Sequence, residues 1–348
     1  MFEYSICNID AIAAHKIGNK TNGGDIILSQ EEVRIGSDRL MELLRRYFLS
    51  HFKSPEFFAF TFSNGELEMN PVYSFVSRMF NSSEMFLKYS QDLARHLFEC
   101  SIHPNIKDGD FYVVQFSNLL VNGEPHNAIG LFKSEVKHPF LKLNMEMGAS
   151  HIDFDEGINI DKLDKACIIL DAEEETGYQV CIIDKTNSSQ DTHFWRDQFL
   201  NVRPRSDDFH HTKNYLDYTK TFVTDQLKEE FELTKADQID ILNKSIDYFK
   251  KNDHFDAQEF SENVFEDNNM IESFQQFGNE YQREREIEIP DNFAVSSPAV
   301  KKQSRVFKSV LKLDKNFHIY IHGNKELIER GTDSNGRKYY KIYYSEEF

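Results

Sequence analysis

The stretch from Phe194 to Val223, FWRDQFLNVRPRSDDFHHTKNYLDYTKTFV, sets the strongest limit on how this chain can fold. Its character changes in the middle. Phe194, Trp195, Gln198 and Phe199 are spaced as one helical turn, and Trp195 is the chain's single tryptophan. Pro204 interrupts the helix, because proline lacks the N–H and pushes the residue before it out of the helical region. Ser206 is the expected N-cap of a second helix, with Asp207 and Asp208 in its first turn, where the macrodipole favours negative charge. Phe209, Tyr215, Leu216, Tyr218, Thr219, Phe222 and Val223 follow at helical spacing. An α/β half therefore ends here and a helical half begins. Two roles stay open for the segment. One is a hinge with a core helix. The other is phosphate contact through Arg196, Arg203 and Arg205, whose planar forks suit phosphate oxygens, with Lys213 beside them.

Upstream, Ile6–Ile17 reads as a strand carrying His15, followed by the turn at 20–25 and a short return at Ile26–Leu28. Ser37 or Asp38 caps a helix over 39–52, and two more helices are expected at 71–80 and 83–100, with Pro71 suited to a first turn. Residues 110–121 and 127–136 flank Asn122-Gly123, a strong hairpin signal because both positions tolerate positive φ. Residues 140–147 alternate as a further strand. Residues 166–171 and 178–184 form a second hairpin around an acidic turn. If those turns are tight, Asp110 faces Glu135, and Cys167 faces Cys181 as packed thiols. Downstream lie helices at about 208–230, 235–251, 256–264 and 268–280. Residues 287–299 read as a linker, and strands at 307–313, 317–321 and 338–344 close the chain, the last supported by the turn DSNG at 333–336. The fold class is α+β. The expected division is an antiparallel-sheet domain with helices over 1–190, an acidic helical middle over 191–290, and a small basic β-rich module with its linker over 291–348.

Charge constrains function. The chain carries a net −18, which repels DNA and anionic membrane at long range. The charge is segregated, however. Residues 228–291 hold 18 acidic and 7 basic side chains, whereas 293–348 hold 11 basic and 6 acidic ones. Lys301, Lys302, Arg305 and Lys308 open that basic stretch. No membrane span and no secretory signal is expected, since no apolar run is long enough. The four cysteines occur singly, without zinc spacing, so free thiols in a cytoplasmic protein are expected.

No P-loop, dinucleotide fingerprint, H-E-x-x-H or nucleophile elbow occurs. His210 and His211 are adjacent on a helix and point to different faces, which speaks against a metal pair. His151, Asp153 and Asp155 share one strand face, and an acidic strand end is the commoner meaning of that pattern than a divalent cation site. The one catalytic alternative is Asp110 with Glu135 and Lys137, the arrangement of the Mg²⁺-dependent D…E-x-K nucleases. An adaptor whose acidic helices bind a basic protein is the other competing class. No cofactor and no metal is assigned.

Three regions carry a family resemblance. IDAIAAHKIGNK at 9–20 is similar to an opening strand with its histidine. Residues 194–223 resemble an aromatic and basic segment before a helical region. RVFKSVLKLDKNFHIYIHGNKELIERGTDSNGRKYYKIYY at 305–344 resembles a terminal β-rich module. Together they resemble the bacterial nucleoid-associated proteins of the NdpA (37-kDa) type. The resemblance implies a cytoplasmic protein of the nucleoid that binds DNA with little sequence preference and has no established catalytic role. DNA and other nucleoid proteins are the implied partners, with a homodimer left open. Relatives can end in a basic tail, whereas this sequence ends Ser345-Glu346-Glu347-Phe348. That shifts the expected contact onto the lysines of 301–315 and the hinge arginines.

Overall fold

In the computed structural model the described residues run from 2 to 346, except 54–55, 64, 147–148, 185–193, 232, 266, 286, 306, 308–309, 315 and 322–326. The chain forms two compact units, Met1–Arg205 and Ser206–Phe348. The expected borders near 190 and 290 differ from this single one. Phe194, Trp195, Phe199 and Leu200 belong to the buried core of the first unit. The supposed linker belongs to the core of the second, which buries Phe293 and Val300.

The first unit is built on one antiparallel sheet of nine strands. They are β1 (Phe2–Glu3), β2 (Asn8–Ile17), β3 (Ile26–Ile27), β4 (Phe57–Phe60), β5 (Gly109–Val121), β6 (Glu124–Ser134), β9 (Lys165–Leu170), β10 (Gln179–Asp184) and β11 (Val202–Pro204). β7 (His138–Glu146) and β8 (Ala149–Gly157) form a separate two-stranded hairpin between β6 and β9. The order across the large sheet is β11-β4-β10-β9-β6-β5-β2-β3, with β1 added to β5. Both faces are covered. Helix α1 (Asp38–Leu49) lays Phe48 against Phe132, with ring centroids 4.4 Å apart. Helices α2 (Pro71–Asn81) and α3 (Phe86–Cys100) cover the opposite face with Val72, Val76, Leu93 and Leu97.

Local signals explain these helix starts. Ser37 accepts the Leu40 N–H and caps α1. Asn70 accepts the N–H groups of Val72 and Tyr73, with Pro71 in the first turn. The Asn70 amide also donates to the carbonyls of Thr61, Leu200 and Asn201 at 3.0–3.1 Å. That one side chain fixes both the start of α2 and the end of the aromatic segment. Phe194–Leu200 is a π-helix, and it buries Trp195 fully, with its indole N–H donating to the Ala166 carbonyl at 3.3 Å.

Two register expectations are corrected. Asn122 and Gly123 both take positive φ, as a tight hairpin demands. Between Phe116 and Leu119 the register then slips, with Asn118 at φ 55° as the extra residue of a bulge. Asp110 consequently pairs with Ser134 and not with Glu135. Cys167 is opposite Ile182, not Cys181. The turn there is longer, with Glu173, Gly177 and Tyr178 all at positive φ. The two thiols lie in the cores on opposite faces of the sheet. Burial pushes both thiols well above their ordinary pKa.

The second unit contains α4 (Asp208–Thr221), a π-helical turn at Phe222–Gln226, α5 (Leu227–Glu230), α6 (Lys235–Lys251), α7 (Ala257–Val264), α8 (Asn268–Arg285) and α9 (Ser297–Ser304). Asp207, not Ser206, caps α4 by accepting the His210 N–H. Thr234 and Asp237 form a reciprocal capping box on α6. Around Tyr215 the core is aromatic, with Phe255 at 4.2 Å and Phe260 at 5.1 Å between centroids. Short strands β12 (His254–Asp256) and β13 (Asn292–Ala294) pair, which stacks Phe255 on Phe293 at 4.6 Å. The terminal region supplies two hairpins, β14 (Val310–Leu313) with β15 (Phe317–Tyr320), and β16 (Ile328–Thr332) with β17 (Lys338–Ile342). Leu311, Ile321, Ile328 and Tyr340 share a small core with Ile239 of α6. The basic module is therefore seated on the helices of its own unit.

His15 is held neutral inside the first unit. Its Nδ1 accepts the Ser29 N–H at 3.1 Å, so the proton resides on Nε2, which donates to Ser90 Oγ at 3.1 Å. Ser90 in turn donates to the Leu87 carbonyl at 2.7 Å. Burial, and secondarily the charge of Arg95, lower its pKa from 6.5 to about 4. Below about pH 6.5 the unfolded chain takes up a proton that the folded one refuses, so this contribution to stability is lost as pH falls towards 4. In His15→Gln the acid limb between those values should flatten by up to about 1.4 kcal/mol per pH unit. Urea unfolding of both proteins across that range measures the difference.

Candidate nucleic-acid interface

The predicted cationic residues divide between the two units. In the first, Arg196 sits on the π-helix and is engaged by its neighbour Asp197 at 2.6 and 3.1 Å. That contact raises its pKa further, against the opposing effect of burial. Arg203 is exposed on the edge strand β11. Arg205 donates to Glu173 and to the Tyr178 carbonyl at 3.3 Å, so it fastens the acidic turn of the second hairpin. Of the three hinge arginines, Arg203 is thus the most open, and Arg205 is mainly a structural tie.

In the second unit, Lys213 is half-buried on α4. Lys301 and Lys302 are exposed on α9, and Arg305 is exposed at its C-cap. Lys308 lies outside the described residues. The α9 helix is rigidly seated: Ala299, Val300 and Gln303 are buried, and the Gln303 amide donates to Asp217 at 3.0 Å. The Lys302 ammonium lies 5.7 Å from the Phe209 ring centroid. Between α9 and the end of α6 runs a groove of about 340 Å³ lined by Phe249, Lys250, Asn252, Val300 and Lys301. Lys250 belongs to the acidic stretch in sequence, and only the packing of α6 against α9 places it beside Lys301. Its neighbour Lys251 is also in the last turn of α6, where the helix dipole favours cations. The β16–β17 hairpin adds Arg330, Lys338 and Lys341, of which Lys341 pairs with Glu329 at 3.6 Å. Tyr339 is 47% exposed, and the Lys341 ammonium lies 4.5 Å from the Tyr343 ring centroid.

The catalytic alternative assembles only in part. Lys137 reaches Asp110 at 3.5 Å. Glu135 instead turns to Lys133, at 2.9 Å, and both side chains are almost fully buried. Lys133 also donates to the Lys107 carbonyl at 2.6 Å. Burial lowers the Lys133 pKa, and Glu135 opposes that shift. Lys133 pairs across the sheet with Lys165, a second buried lysine, which Asp184 neutralises at 3.2 Å. Asp110, Glu135 and Lys137 line one open pocket of about 520 Å³ with Lys16, Asp25 and Asp108. Among the described residues no group of three or more His, Cys, Asp or Glu is arranged to hold a metal ion. Glu135 is occupied with a buried charge, which is a structural duty. Sequence patterns alone do not single out Lys133, Lys165 and Asp184. The available signal is two lysines placed in otherwise apolar strand runs.

A comparison with known protein families matches residues 14–337 to the family described as nucleoid-associated protein YejK. The chain belongs to this family. The match begins within the opening strand and ends at the turn of the last hairpin, so it takes in all of the second resembling region and most of the other two. It places the protein among the DNA-associated proteins of the bacterial nucleoid, within the cytoplasm. Among curated proteins no sequence matches significantly. No helix among the described residues is long and apolar enough to cross a membrane.

The Lys133–Glu135 pair generates a test that separates structural from catalytic use. Glu135→Ala leaves a buried ammonium uncompensated and should cost about 3–5 kcal/mol of stability. Lys137→Ala removes a half-exposed cation and should change stability by less than about 1 kcal/mol. Urea denaturation of the two variants reads both values. Equal, small effects would show that Glu135 carries no structural load.

Proposed function

We propose that this nucleoid-associated protein binds duplex DNA with little sequence preference, through phosphate contacts made by the basic face of its second unit. The observation that carries the reading is α9. It presents Lys301, Lys302 and Arg305 to solvent from a helix anchored on an aromatic core. The core fixes the backbone from which these cations project, and contact with phosphate needs no particular base. Arg330, Lys338 and Lys341 on the terminal hairpin extend the supply of positive charge. Arg203 and Arg196 of the first unit form a secondary set, and Lys213 lies on the helix that follows the unit boundary.

The chain's net −18 sets the terms of such binding. Repulsion from the acidic helices weakens long-range attraction, so binding depends on a few short-range ion pairs. Affinity should therefore be modest, with a salt dependence set by the number of those pairs. Neutralising several carboxylates between 228 and 291 should tighten it, most visibly at low salt, where screening is weak.

The test uses the full-length chain, because Phe293, Val300 and Phe307 are part of the helical core and a terminal fragment would lack its support. Duplex affinity is measured across a salt series for the wild type and for Lys301→Ala/Lys302→Ala/Arg305→Ala. Removing one cation from a phosphate should flatten the log–log slope by about 0.9, so the triple variant should flatten it by up to about 2.7. Affinity should fall alike for unrelated sequences. An unchanged slope would move the surface to Arg330, Lys338 and Lys341 or to the hinge arginines. Absence of binding by the wild type at low salt would end the DNA reading.

A further inference from the structure

The β7–β8 hairpin is the feature of the first unit that the nucleoid reading leaves unused. Its strands pair only with each other, forming a sheet of two strands. An isolated two-stranded hairpin is marginal in water unless one face is covered. The register puts Leu141 opposite Phe154, Leu143 opposite Ile152 and Met145 opposite Ser150. Strand alternation places these six side chains on one face. Five of them are large and apolar, and each is 64–77% exposed. The other face is mostly polar, with Phe140 among its charged side chains. Lys142 bonds Asp155 at 2.6 Å and lies 5.7 Å from the Phe140 ring centroid.

We propose that this apolar face is a homodimerisation surface, on which the arms of two copies pack face to face. Charge decides against the nucleic-acid alternative. Residues 138–157 carry four acidic side chains and one lysine, a net −3 that phosphate repels. Size favours a second copy. Five large side chains, each about two-thirds exposed, present on the order of 600 Å² per copy, the upper end of what a monomer leaves contiguous. Two arms together would remove on the order of 1,200 Å² from water, the lower end of what a specific dimer uses. Shape also favours it. The face tapers from the bulky Leu141/Phe154 pair near the root to the smaller Met145/Ser150 pair near the tip. An antiparallel two-fold arrangement sets bulky on small at both ends, and the Leu143/Ile152 pairs meet on the axis. That is the self-complementarity an isologous interface requires. The carboxylates of Asp153 and Asp155 stay on the outward faces and remain hydrated.

Sedimentation velocity on the full-length chain, from nanomolar to high-micromolar concentration, tests the proposal. The wild type should show a reversible monomer–dimer equilibrium. Leu143→Asp, at the centre of the face, should weaken it at least about 100-fold. Asn144→Asp, one residue away on the polar face, should leave it unchanged. Independently of how Leu143→Asp folds, Leu143→Cys should form a covalent dimer under mild oxidation, because the two Leu143 positions meet at the axis, and Asn144→Cys should not. A wild type that stays monomeric throughout overturns the proposal. So does a dimer that survives Leu143→Asp with full affinity, or equal cross-linking at 143 and 144.

Discussion

Covering both faces of one antiparallel sheet is the condition on which the first unit depends. All six residues of β9 and the last seven of β6 are buried. Alternation therefore offers no solvent face at which these central strands can discharge polar side chains. Lys133 and Lys165 lie in that interior, side by side across the strands. Each is tolerated because a carboxylate, Glu135 or Asp184, comes in with it. A buried ion pair is weak support for stability as such, since desolvation offsets much of the attraction. Its effect here is positional: it fixes how the ends of β6, β9 and β10 stand relative to one another. It also withdraws Glu135 from the chemistry that its E-x-K setting suggests.

The second unit meets its constraint with aromatic rings. Tyr215, Phe249, Phe255, Phe260, Phe274 and Phe293 interlock around α4, and the chain returns through β13 to close the cluster. Because α9 is part of the same packing, its cations project from a fixed platform and not from a linker. This is the physical link between core and proposed function. Local rigidity determines whether three surface cations act as a patch or as independent, solvated charges. The anchored hairpins β14–β15 and β16–β17 extend the same logic to the end of the chain, through their shared core with Ile239.

Much of the architecture is legible along the sequence. Helices with a cap and a clean apolar stripe, such as those begun by Ser37, Asn70-Pro71 and Thr234, fall within a few residues of their expected places, because capping and periodicity are local physics. The Asn122-Gly123 turn is legible for the same reason. The bulge at Asn118 is not. A single residue in the left-handed region moves every later pair by one, and nothing in the local pattern announces it. The same one-residue uncertainty separates Cys167 from Cys181.

Of the candidate interface, the inventory can be read along the chain: which residues are cationic, that they cluster after 293, and that the family is one of the nucleoid. Those properties are additive along the chain and survive any folding. Which of the cations are engaged elsewhere emerges from the folded packing. It tied Arg205 to Glu173, spent Glu135 on Lys133, drew Lys250 up to Lys301, and turned a Pro- and Ser-containing stretch from an apparent linker into a core strand and helix. It also left one face of the β7–β8 arm without cover. Each of those outcomes depends on interactions between residues far apart in sequence, whose energies arise from burial and distance and are not properties of any one segment.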